Sequence, residues 1–126
     1  VVVAAAGHPL AERRAGARQL NHATWVLREP GSGTREASDR WLIPHLTQME
    51  VELELGSNEA VKRVVAAGLG LGCLSRLAVK EAIAEGWLVE LATTLPPMQR
   101  TLSIVLHRAK KLGAAAEGFL RHCTTD

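Results

Sequence analysis

The sequence predicts an α/β fold, a Rossmann-like sheet of mostly parallel strands flanked by helices. Three observations point there. Short β-branched or alternating apolar runs take turns with stretches whose apolar residues recur at helical spacing. Glycine, proline or serine stands at nearly every switch between them. Hydrophobic residues make up 47% of the 126 and charged residues 22%, the balance of one globular domain. Aromatic residues are only Trp25, Trp41, Trp87 and Phe119, so the core falls to Ala, Val, Leu and Ile.

Residues 1–6 are β-branched, then small, and Gly7-His8-Pro9 closes them as a strand entering a turn. With no initiating Met, this opening reads as a chain entered in mid-fold. A polar, alanine-rich loop follows, with a short helix around 17–22. Thr24 to Leu27 is a second strand, stopped by Glu29-Pro30-Gly31-Ser32-Gly33. Ser32 or Thr34 then caps a helix whose apolar stripe is Ala37, Trp41 and Leu42. Glu36 sits in its first turn, where the dipole favours a carboxylate, and Pro44 ends it. Glu50 to Leu55 alternates strictly, a strand with one polar face. Gly56-Ser57-Asn58 gives a turn and cap, Val61, Val64 and Val65 a helical stripe, and Gly68 its stop. Residues 69–74 read as a buried strand, Ser75 as the cap of a helix to about Glu85, and 87–91 as a strand. Residues 101–106 read as a last strand, 114–123 as a last helix.

Charge and cysteine content narrow the function. Fifteen Lys and Arg against thirteen Asp and Glu give +2, no strong footprint for a polyanion. The basic run His107 to Lys111 reads as a solvated loop. Cys73 lies in an apolar run as a small buried hydrophobe, and two cysteines without a CxxC motif fit a reducing cytoplasm. No charged leader precedes a long apolar run, and no apolar stretch nears the ~18 residues of a membrane span. The five histidines show no metal-ligand spacing. No cofactor or metal is expected, and without a positioned nucleophile and base no enzymatic activity is expected either.

The most informative stretch is Arg28-Glu29-Pro30-Gly31-Ser32-Gly33-Thr34-Arg35, which joins a strand end to a helix start. Its glycines let backbone approach a ligand, and the free N–H groups of the first helical turn favour an anion. Spacing alone leaves two readings open, a capped turn or an anion site. It lacks the ending of a P-loop and the spacing of a nucleophile elbow. Gly68 to Gly72 follows a helix and enters a strand, the reverse of a dinucleotide-binding turn, so close backbone packing is expected there.

Several stretches in fixed order resemble the effector domain of LysR-type bacterial regulators: His8-Pro9-Leu10-Ala11, Trp25 through Arg35, Leu53 through Lys62, Val65 through Gly72, Leu88-Val89-Glu90-Leu91 and Ala115 through Leu120. The resemblance covers nearly the whole chain. It implies a two-lobed fold like that of periplasmic solute-binding proteins of type II, with a small effector between the lobes. Residues 1–11 would be a crossing strand and entry, 12–97 the second lobe, and 98–126 the return strand and last helix of the first lobe. It further implies Gly31, Ser32, Gly33 and Thr34 as effector contacts, joined by Arg28, Arg35 and Asn58. DNA would be read by a winged helix outside this sequence, in a cytoplasmic homodimer or homotetramer whose second lobes pair through elements like 50–55 and 58–67. A stand-alone solute- or anion-binding protein of the same fold is the alternative.

Overall fold

A computed structural model describes residues 1–124. In chain order it holds β1 (Val2–Ala5), a 3-10 turn (Pro9–Glu12), α1 (Ala17–Asn21), β2 (Thr24–Arg28), α2 (Gly33–Leu42), β3 (Glu50–Leu55), α3 (Asn58–Ala66), β4 (Leu71–Cys73), α4 (Arg76–Ala84), β5 (Leu88–Glu90) and α5 (Ala114–Thr124). The alternation expected from the sequence is present. The 3-10 turn was not anticipated; its cap is His8, whose Nδ1 accepts the Leu10 N–H at 3.1 Å.

The strands form one sheet in the order β3-β2-β4-β1-β5. β2 runs parallel to β3 and β4, whereas β1 is antiparallel to both β4 and β5. Four strands therefore share a direction and only β1 opposes them. Strand periodicity sorts the core onto two faces. Val2, Ala4, Trp25 and Leu27 pack with Leu20 of α1 and Leu42 of α2. Val3 and Val26 face the other way, onto Val61 and Val65 of α3 and Val79 and Ala82 of α4. The result is a sheet between two helix layers. Each fully buried Val or Leu here contributes roughly 1.5–3 kcal/mol relative to exposure.

The glycine run before β4 is a packing device, as expected. Gly70 has φ +152°, and a Cβ there would stand 2.8 Å from the Thr24 carbonyl oxygen. The entry to β4 thus lies against the backbone of β2, closer than any side chain allows.

One expectation is corrected. Residues 101–106 run without sheet pairing, leaving Leu102 and Val105 79% and 89% exposed. A strand needs a neighbour's N–H and C=O groups, and none of the five strands pairs with this segment. The last helix forms where its sequence predicts, but α5 buries no residue and Phe119 is 67% exposed.

Candidate functional site

Because β2, β3 and β4 are parallel, their carboxyl ends meet at one end of the sheet, where α2, α3 and α4 begin. In open α/β sheets that end is where ligands bind. A serine precedes each helix, but the three are used differently. Ser32 Oγ accepts the N–H groups of Thr34 and Arg35 at 3.2 and 3.3 Å. Ser57 Oγ accepts from Ala60 at 3.1 Å. Ser75 has cap backbone geometry yet makes no side-chain cap bond, so its side chain satisfies none of the first-turn N–H groups of α4.

Between the starts of α2 and α4 lies an open cavity of about 310 Å³, lined among others by Thr34, Ser38, Cys73, Ser75, Arg76 and Arg100. Ser38 is buried beneath it, and its one hydroxyl proton is shared between the carbonyls of Thr34 at 2.9 Å and Cys73 at 3.2 Å, linking α2 to β4. Burial pushes the Cys73 thiol above its ordinary range, against a smaller opposing pull from Ser38. A neighbouring cavity of about 380 Å³ lies along α2, lined by Gly33, Glu36, Arg40, Trp41 and again Arg100. Trp41 Nε1 donates to the Pro96 carbonyl at 2.8 Å, which fixes the segment carrying Arg100 to α2. The Arg100 guanidinium lies over Gly33: a Cβ at position 33 would stand 2.8 Å from Nη2.

The residues expected from the sequence fall into three groups. Gly33 and Thr34 line the cavities. Gly31, at φ +88°, and Ser32 shape the turn that leads to them. Arg28, Asn58 and Arg35 are engaged elsewhere. Arg28 donates to Asn58 Oδ1 at 2.7 Å and to both Glu29 oxygens at 2.8 and 3.0 Å. That pairing raises the Arg28 pKa and holds Glu29 below the usual carboxylate range. Arg35 binds both Asp39 oxygens at 3.0 Å, the Arg28 carbonyl at 2.8 Å, and Glu54 on the outer strand. Burial works against its charge, but the bonds to Glu54 and Asp39 prevail and raise its pKa. Arg35 borders a different hollow, with Asp39 and Val51.

Sequence reading missed Ser38, Arg76 and Arg100 at the wall, and saw Ser75 only as a helix cap. That cap placed a second helix start at a strand end; knowing β2 and β4 to be parallel neighbours would have set it beside α2. Arg100 carried no local signal. Among the described residues, no cluster of three or more His, Cys, Asp or Glu could hold a metal ion. No described helix is long and apolar enough to cross a membrane.

A mixed sheet that brings two helix starts to one open wall at its strand ends defines the class of open α/β domains. More narrowly, the chain belongs to the LysR substrate binding domain family, whose model matches residues 1–126. It is 46% identical over 123 residues to the uncharacterized HTH-type transcriptional regulator YeiE of Escherichia coli K12, covering 98% of this chain and 42% of that protein. The regulatory domain of CcmR from Synechocystis PCC6803, solved in complex with 2-PG, matches with a TM-score of 0.78 and 31% identity, over 97% of this chain and 59% of that one. The effector binding domain of QuiR in complex with shikimate shares the fold, with a TM-score of 0.70 at 19% identity over 95% of this chain and 56% of that one. The chain thus spans under half the length of the YeiE relative.

Proposed function

We propose that this chain is the second lobe and return segment of the effector-binding domain of a LysR-type transcriptional regulator, and that a small anionic effector binds against the wall between α2 and α4. The observation that carries the site is the pair of adjacent helix starts, one without a side-chain cap, over the open cavity at the strand ends. Family membership and the regulator relatives support the wider role. Gly33 and Thr34 meet the effector, Gly31 and Ser32 set the turn, and Arg28, Arg35 and Asn58 hold it from behind.

Residues 1–11 cross between lobes, 12–97 form this lobe, and 98–126 return to the first lobe. The unpaired run at 101–106 and the exposed α5 are the surfaces that the first lobe would cover. In the cytoplasm a homodimer or homotetramer would bind DNA through an N-terminal winged helix. Effector binding shifts the lobes by its unequal affinity for two arrangements, with 1–6 and 100–106 as hinge. The domain senses and does not catalyse: Ser32 Oγ is occupied by backbone N–H groups, and the Cys73 thiol is buried with a raised pKa.

The test is binding of small phosphates and carboxylates, 2-PG among them, to the full-length protein, with promoter DNA retention read in parallel. An anion is expected to alter DNA binding, and that response is expected to be lost when Ser32→Ala, Thr34→Ala and Arg28→Ala are combined. Unchanged effector affinity in the triple variant would show that the site lies elsewhere.

A further inference from the structure

We infer that Arg100 is the residue that selects for negative charge in the effector, an inference that rests on the site reading above. Arg100 borders both cavities at the wall. The side chains there include three arginines, Arg40, Arg76 and Arg100, against one carboxylate, Glu36. Arg76 is already neutralised by Glu90, with contacts of 2.6 and 3.1 Å. Arg28 and Arg35, the two arginines expected from the sequence, are held by Glu29 and by Asp39 and Glu54. Arg100 makes no ion pair among the described residues.

Its position is set by three features. The Trp41 to Pro96 bond fixes the segment upstream, prolines 96 and 97 stiffen it, and Gly33 leaves the space the guanidinium occupies. A side chain at position 33 would force that guanidinium aside. Arg100 therefore presents a planar fork of donors beside the first turn of α2, where a phosphate or carboxylate accepts two parallel bonds. Arg40 lies near the end of the same helix and borders only the outer cavity.

The test uses the full-length protein with inorganic phosphate and inorganic sulfate as probes, titrated calorimetrically at several salt concentrations. Arg100→Gln is expected to weaken binding by about tenfold or more and to flatten its salt dependence, with an unchanged melting temperature because the guanidinium makes no ion pair among the described residues. Arg100→Lys keeps the charge without the fork and should recover part of the loss. Arg40→Gln should change affinity by less than about twofold. If Arg100→Gln binds like the wild type, the assignment to Arg100 is overturned while the site reading stands. If Arg40→Gln loses as much, the effect is diffuse charge and the assignment again fails. Should the wild type bind neither ion, the anionic-effector reading falls and takes Arg100 with it.

Discussion

Replacing Gly70 with alanine should destabilise the fold far more than the same change two residues earlier. Both glycines have positive φ, +83° at Gly68 and +152° at Gly70. At Gly68 an added Cβ meets nothing within 4 Å, so Gly68→Ala costs only the left-handed backbone preference, about 1 kcal/mol. At Gly70 the backbone term is about 1–3 kcal/mol, and the Cβ also drives into the Thr24 carbonyl oxygen at 2.8 Å. Neither partner is a flexible side-chain tip, so the strands must part or the turn must move. About 3 kcal/mol in total is expected, a gap of roughly 2 kcal/mol between the variants. Trp25 is fully buried next to Thr24 and paired in register with Leu71, so its fluorescence in a urea titration reports on this junction. Equal midpoints for the two variants would refute the claim that backbone contact, not turn conformation, fixes glycine at position 70.

Ser38→Ala removes the donor that links α2 to the Cys73 carbonyl and should lower stability by about 1 kcal/mol, read as a lower urea midpoint. Glu29 has a depressed pKa in the fold, so its pairing with Arg28 stabilises above the ordinary carboxylate range and is lost as pH falls through the folded value. Glu29→Gln should therefore flatten the fall in stability as pH drops below the ordinary glutamate value of about 4.3; an unchanged slope would remove Glu29 from the acid response.

What the sequence shows is what local chemistry controls. Ser32, Ser57 and Ser75 announce helix starts because a cap involves only the next three residues. Glu50, Glu52 and Glu54 alternate with Val51, Leu53 and Leu55 because β3 lies at the sheet edge, where its glutamates stay exposed. The antiparallel placement of β1 depends on pairings with β4 and β5 across the whole chain, and no local pattern encodes it. Residues 101–106 have a strand's composition, yet composition supplies no hydrogen-bonding neighbour. At the site, the turn from Gly31 to Thr34 was legible, but the destinations of Arg28 and Arg35 were not. Both carry charge beside a helix start, and both are drawn away by carboxylates or an amide, with Glu54 and Asn58 arriving from β3 and α3.

The most direct test is hydrogen exchange of the full-length protein with and without saturating inorganic phosphate. Binding at the wall formed by α2 and α4 predicts slowed exchange confined to residues 33–38, 74–78 and the segment around Arg100. Protection instead at the opposite ends of β2 and β4, around the cavity lined by His8, His22 and Gly70, would contradict it.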